Sequence, residues 1–207
     1  MKSRQKTLKN LLELSETLVS DTADVYLLFA DLVGSTEYKS SLILQGHPDI
    51  LWILRQLIFL NRSAEIIKTY QGVVVKTIGD EIFAYFEATT DPISILNCGI
   101  EIIQSFGNIH TFKGASKIEG KISIDFGLTY NGSINKSAFD PIGVPVDRCA
   151  RLNSLAKKNE IIFSNDFLDA VKLKADLDII KKKYGYESFN DELKGLGPVC
   201  YHRIVAH

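Results

Sequence analysis

Val73–Phe86 reads VVVKTIGDEIFAYF, and this stretch decides the fold. Val73, Val74 and Val75 are β-branched and suit a pleated, packed surface. Ile82, Ala84 and Phe86 alternate with Phe83 and Tyr85, the period of a buried or half-buried strand. Between the two runs lies Ile78-Gly79-Asp80-Glu81, a tight turn. The stretch therefore predicts a β-hairpin with a carboxylate, Asp80, at its rigid tip. A second carboxylate stands upstream in Tyr26–Thr36, YLLFADLVGST. There an apolar run ends in Asp31, and a short loop with Gly34, Ser35 and Thr36 follows. Carboxylate oxygens are hard ligands. Two of them at strand ends, beside a phosphate-sized loop, point to a two-metal nucleotide site. Taken singly, Asp31 reads as a turn cap and Asp80 as a hairpin-tip residue tolerating unusual backbone angles.

Outward from the hairpin, Pro48-Asp49 opens a helix over 49–70 and Gln71-Gly72 stops it. Its apolar positions include Ile50, Ile53, Leu54, Leu57, Ile58, Ile66 and Ile67. A strand over 25–31 precedes it. Asp91-Pro92 starts a helix over 91–106, and 107–120 is a polar loop. Ile122, Ile124, Phe126 and Leu128 alternate with Ser123, Asp125 and Gly127, a strand that ends at the Asn131-Gly132 turn. A short helix over 144–157, a strand Ile161–Phe163, a helix Asn165–Val171 and a strand Pro198–Val205 complete the chain. This order predicts an α+β fold of the ferredoxin-like (palm-type) βαββαβ kind, with a mainly antiparallel sheet and helices on one face. Residues 5–19 carry Leu8, Leu11, Leu12, Leu14 and Leu18 at helical spacing. Residues 1–22 are thus expected to form an amphipathic helix that packs on the domain or on a dimer mate, with the domain itself over 23–207. Tyr26, Phe83 and Tyr85 are expected in the core rather than stacked on a base.

A net charge of -1 argues against non-specific nucleic-acid binding, which needs a basic surface. Cys98, Cys149 and Cys200 have no paired spacing, which favours free thiols in a reducing cytoplasm. No apolar run reaches the roughly 20 residues of a membrane helix, so no stable membrane insertion is expected.

Four segments carry a resemblance: FADLVGST (29–36), VVKTIGDE (74–81), FDPIGVPVDRCARL (139–152) and LKGLG (193–197). In this order and spacing the chain resembles a class III nucleotidyl cyclase catalytic domain, the family of adenylate and guanylate cyclases. The resemblance implies a head-to-tail homodimer with two composite sites and a nucleoside triphosphate substrate. One subunit would bind two Mg²⁺ or Mn²⁺ ions per site through Asp31, Asp80 and the Leu32 carbonyl. Its Leu32–Thr36 loop, with Val33, Gly34, Ser35 and Thr36, would offer backbone N–H groups to the phosphates. The other subunit would read the base with Lys76 and Asp140. It would meet the α-phosphate with Arg151 and hold phosphate with Lys194. An ordinary pairing of Lys76 with Glu81 or Glu87 competes with base reading.

Two departures from the family pattern stand out. Asp147 replaces the asparagine that orients the ribose, and it can accept from a hydroxyl but cannot donate. The family's His-x-Gly stretch reads Thr129-Tyr130-Asn131-Gly132, without the arginine often found there, so Lys39 or backbone would hold pyrophosphate. Lys76 with Asp140 suits adenine, or equally cytosine. The compact layout resembles bacterial anti-phage pyrimidine cyclases, which make cyclic CMP or cyclic UMP for a separate effector. An adenylate cyclase and a catalytically silent nucleotide-binding or interaction domain are the alternatives. The IGDE hairpin lacks the paired-glycine signature of a diguanylate cyclase.

Overall fold

Strand β1 (Thr22–Leu32) has no solvated face in its middle: Val25–Ala30 are all buried. Such a strand belongs inside a sheet covered on both sides. It lies there in the computed structural model, which describes residues 9–10, 22–107, 109, 117–132, 138–174 and 177–206. On one flank β1 pairs antiparallel with β3 (Glu81–Glu87), which pairs with β2 (Val73–Ile78). On the other flank it pairs antiparallel with β4 (Gly120–Asn131). β4 also takes the short β5 (Pro141–Ile142) and runs parallel to β6 (Glu160–Ser164). β6 is antiparallel to β8 (Gly197–Val205), and β8 to β7 (Glu187–Leu193). The order across the 8-stranded sheet is β2-β3-β1-β4-β6-β8-β7, with β5 at the end of β4. This is the expected α+β architecture, with one parallel pair in an otherwise antiparallel sheet.

Six helices are described: α1 (Ser35–Leu44), α2 (Ile50–Thr69), α3 (Pro92–Gln104), α4 (Val144–Leu155), α5 (Asn165–Lys174) and α6 (Leu177–Tyr184). The period of two along β1 sorts its side chains. Tyr26, Leu28 and Ala30 join Phe59, Ile66 and Ile67 of α2, Ile95 and Ile102 of α3 and Phe167 of α5 in the main core. Val25, Leu27 and Phe29 face the other way, with Phe83, Tyr85 and Cys149 of α4. α2, α3 and α5 thus cover one face as expected, and α4 adds a helix on the opposite one. Tyr26, Phe83 and Tyr85 are core residues, at 1%, 1% and 9% exposure.

Local signals explain the boundaries. Asp91 caps α3 by accepting from the Ile93 N–H at 3.1 Å, and Pro92 takes the first turn, where its missing N–H costs nothing. Asp49 makes no cap bond to α2; its carboxylate instead accepts from Trp52 Nε1 at 3.0 Å. Four elements go beyond the sequence reading: α1, α6, β5 and β7. Among the described residues of 1–22, Lys9 and Asn10 are helical, and the rest of the expected N-terminal helix lies outside the described residues. Most of the 107–120 loop also lies outside them. No described helix is long and apolar enough to cross a membrane.

Candidate active site

β1 delivers Asp31 to the sheet end, where it stands opposite Glu81 on β3 and Lys121 on β4. Lys121 Nζ reaches Asp31 Oδ2 at 3.2 Å. The β2–β3 turn delivers Asp80 to the same place. Gly79 in that turn has φ 65° and Gly34 before α1 has φ 66°, left-handed values that a side chain would strain. Asp31 and Asp80 line one cavity of about 260 Å³ with Leu32, Val33, Gly34, Ser35 and Thr36. Lys121, Lys157 and Lys158 complete its basic side.

The acids crowd one another. Burial raises the Asp31 pKa, with Lys121 opposing and Asp80 adding to the rise. Glu81 is pushed up to about 7 by burial and then by the Asp31 charge, with Lys121 opposing and Asp80 adding. A divalent cation would relieve this crowding. Among the described residues no group of three or more His, Cys, Asp or Glu is placed to hold a metal ion. Two carboxylates still fit Mg²⁺ or Mn²⁺, because such ions draw remaining ligands from water and substrate phosphates. One loop amide is already spent: Val33 N–H donates to Glu119 O at 2.9 Å. Gly34, Ser35 and Thr36, at the start of α1, are the amides left for an anion.

A second group of residues gathers elsewhere on the chain. Lys76 Nζ lies 2.9 Å from both carboxylate oxygens of Asp140. The pairing of Lys76 with Glu81 or Glu87 is therefore not the one adopted. The β2 ladder shifts register between Val74 and Lys76, an irregularity of the kind that re-aims side chains near sites. Phe139 packs edge-on against Tyr85 at 5.2 Å and brings Asp140 to the hairpin.

α4 presents Asp147 and Arg151 to solvent one turn apart. The helix is held from below by three polar contacts. Ser123 Oγ donates to Cys149 O at 2.7 Å, Asn153 Nδ2 donates to Phe29 O at 3.1 Å, and Arg148 pairs with the buried Asp125. A Cβ built on Gly195 would sit 3.8 Å from Arg151 Nη2, so the Lys194-Gly195-Leu196 turn adjoins Arg151. Lys194 itself is exposed. None of Lys76, Asp140, Asp147, Arg151 and Lys194 lines the Asp31–Asp80 cavity. The two candidate groups thus lie apart on one chain.

Sequence reasoning missed Lys121, Lys157 and Lys158. Lys121 precedes Ile122 in the β4 alternation, so its strand position was legible, but its partner across β1 was not. Lys39, the suggested pyrophosphate ligand, lies over the Trp52 ring at 4.3 Å and outside this cavity.

Residues 18–201 match the family described as the adenylate and guanylate cyclase catalytic domain. The chain belongs to this family. It is a nucleotidyl cyclase catalytic domain, and its activity class is that of the phosphorus–oxygen lyases. No curated relative matches the chain. Among solved structures it is similar to the guanylyl cyclase Cya2, with 22% identity and a TM-score of 0.73 over 89% of this chain and 92% of that one. It is also similar to the adenylyl cyclase CyaB from P. aeruginosa, with 19% identity and a TM-score of 0.70 over 90% and 95% of the two chains. A rhodopsin-guanylyl cyclase core with converted specificity, in complex with ATPalphaS, gives 21% identity and 0.70 over 90% and 97%. At these identities the likeness speaks for the fold alone.

Proposed function

We propose that this cyclase domain converts a nucleoside triphosphate to a 3′,5′-cyclic nucleotide and pyrophosphate at two sites shared between the subunits of a homodimer. The observation that supports this reading is the split of the candidate residues into two halves on one chain. A head-to-tail copy would oppose the Asp31–Asp80 half of one subunit to the Lys76–Arg151 half of the other. Leu128, Tyr130, Ile142 and Val144, all large and exposed near the junction of β4, β5 and α4, supply apolar surface for such a contact.

Asp31, Asp80 and the Leu32 carbonyl would hold two Mg²⁺ or Mn²⁺ ions per site. Bound ions of this kind lower the pKa of a hydroxyl and offset phosphate charge. The chain's own groups do the rest. The Gly34, Ser35 and Thr36 amides donate to the β- and γ-phosphates, and Lys121 supplies a cation at the pyrophosphate end. Arg151 donates in a planar fork to the α-phosphate oxygens, where charge builds as the ribose 3′-oxygen bonds to phosphorus and the bond to pyrophosphate breaks. Lys194, beside Arg151, holds phosphate. Asp147 accepts from a ribose hydroxyl.

Lys76 donates and Asp140 accepts, a pair that matches an amino group beside a ring acceptor. On the Watson–Crick edge adenine and cytosine present that pair; guanine and uracil do not. The substrate is accordingly ATP or CTP. In the CTP reading the product is cyclic CMP, a second messenger of anti-phage defence that acts through a separate effector. The experiment is a competition of the four triphosphates with Mn²⁺, with products identified by mass spectrometry. Cyclic AMP or cyclic CMP is expected to exceed the other products at least about tenfold, the discrimination of one good base contact. Dominant cyclic GMP or cyclic UMP would refute the base assignment, and no cyclic product from any of the four would leave a nucleotide-binding domain.

The shared site gives a sharper prediction. Asp31→Asn and Arg151→Ala are each expected to be inactive alone. Mixed, each heterodimer keeps one site with both halves intact, so partial turnover returns. Verified heterodimers without turnover would rule out sites built from two subunits.

A further inference from the structure

Asn131-Gly132 reads in the sequence as a turn that ends β4, but in the fold the two residues hold Asp140. Asn131 stands opposite Pro141 in the short β4–β5 ladder, and Tyr130 opposite Ile142. Asn131 Oδ1 accepts from the Asp140 N–H at 3.2 Å. The Gly132 N–H donates to Asp140 O at 2.8 Å. The backbone N–H and C=O of Asp140 are thus both held by one dipeptide at the end of β4. Gly132 leaves no room for a side chain: a Cβ there would sit 2.5 Å from Ile142 Cγ2 and 3.3 Å from Asp140 O. The neighbours of Asp140 restrict it further. Pro141 follows and is buried, and a residue before proline is kept out of the helical region. Phe139 precedes it and packs edge-on against Tyr85 at 5.2 Å, on the α4 face of the sheet.

The carboxylate carried on this backbone meets Lys76 Nζ, 2.9 Å from each of its oxygens. An ammonium has three N–H donors and a carboxylate about four lone pairs, so the pair keeps a donor and an acceptor side by side for a base. Both side chains are partly exposed, at 46% for Lys76 and 32% for Asp140. The offset between that donor and that acceptor is what an amino group beside a ring nitrogen has to match. It depends on where the Asp140 backbone stands, because hydrogen bonds weaken steeply as their angle is lost. We infer that Asn131 is a positioning residue for base selection: it fixes Asp140 against Lys76 without touching the base itself. This role rests on the proposed assignment of Lys76 and Asp140 to the base. Asn131 acts through Asp140, so its loss alters the choice among bases rather than the chemistry at phosphorus.

The test compares the parent chain with Asn131→Ala, Asn131→Asp and Asp140→Ala. Each receives the four triphosphates singly with Mn²⁺, and kcat/KM is measured for each. Calorimetry measures binding of the four 3′-deoxynucleoside triphosphates, which cannot close the ring. Asn131 is half-buried at a strand end, so its substitution leaves the core intact. Asn131→Ala is expected to lower discrimination against GTP and UTP about fivefold, the low end of what one good base contact supplies, in kcat/KM and in binding alike. Its melting temperature and sedimentation are expected to match the parent's. Asn131→Asp keeps an oxygen within reach of the Asp140 N–H and is expected to hold discrimination within about twofold of the parent. Discrimination lost in Asp140→Ala but unchanged in Asn131→Ala overturns the positioning role and leaves the base assignment standing. Discrimination unchanged in Asp140→Ala overturns the base assignment and this role with it. An equal loss with all four triphosphates in Asn131→Ala, their ratios kept, also overturns the role, because a merely structural contact would give that result. So does an Asn131→Asp variant that discriminates as poorly as Asn131→Ala, since the accepted bond would then not be the cause.

Discussion

Asp80→Ala is expected to lower cyclic-nucleotide formation about a thousandfold or more while moving the melting temperature by no more than about 2 °C. The first half follows from the role proposed for the hairpin tip. A metal supplies several kcal/mol of charge stabilisation at the transition state, and each 1.36 kcal/mol is tenfold in rate. The second half follows from where Asp80 sits. It is half-buried in a turn, and no hydrogen bond or ion pair of its side chain is described. Its charge adds to the strain on Asp31 and Glu81, so removing it relieves repulsion. Substitutions of this kind stay within about 0.5 kcal/mol, which is roughly 2 °C for a chain of this size. Turnover assays with Mn²⁺ beside a thermal melt check both halves. Unchanged turnover would remove Asp80 from the site. A large drop in melting temperature with lost turnover would make its role structural.

What the sequence made legible was what short-range pattern encodes. The hairpin, β1 and β4 are periodic and apolar, and they appear where alternation put them. α1 was missed because STEYKSSLIL lacks an apolar face: Leu42 is buried while Ile43 and Leu44 are exposed. β7 was missed because ESFNDEL is an edge strand with only Leu193 buried, so its polar residues mask the period. At the site, Asp31 and Asp80 were legible as strand-end carboxylates in telling contexts. The Lys76–Asp140 pair spans 64 positions, and no local rule chooses Asp140 over the nearer Glu81 and Glu87. Lys121 is a cation whose significance lies in which element folds against it. Arg148 was hidden between Asp147 and Arg151, because a helix turns adjacent residues to different faces.

That arginine anchors the second large effect: Asp125→Ala is expected to destabilise the fold by about 3–5 kcal/mol. Asp125 is fully buried in β4. Arg148 grips it in a fork, Nε to Oδ2 at 2.7 Å and Nη2 to Oδ1 at 2.8 Å, and also meets Asp166. Ser164 Oγ donates to Asp125 at 2.5 Å and the Phe126 N–H at 2.7 Å. Burial alone would lower the Arg148 pKa; the bonds to Asp125 and the charges of Asp125 and Asp166 outweigh it and hold the guanidinium charged. Alanine would leave that charge half-compensated, with Asp166 on the solvent side, and would leave the Phe126 amide without its acceptor. The cost lies in the orphaned groups, since a buried pair is often no better than well-packed apolar residues. Asp125→Leu combined with Arg148→Met is therefore expected to recover much of the loss. Urea denaturation of the single and double variants measures both. A single variant within about 1 kcal/mol of the parent would show that the pair does not clamp α4 to the sheet. A double variant as unstable as the single would place the cost in packing and in the Phe126 amide and Ser164 hydroxyl left without Asp125, rather than in unpaired charge. The same contacts fix the helix that carries Asp147 and Arg151. The single variant is accordingly expected to lose turnover below its melting transition, where the double variant, with α4 seated again, regains it.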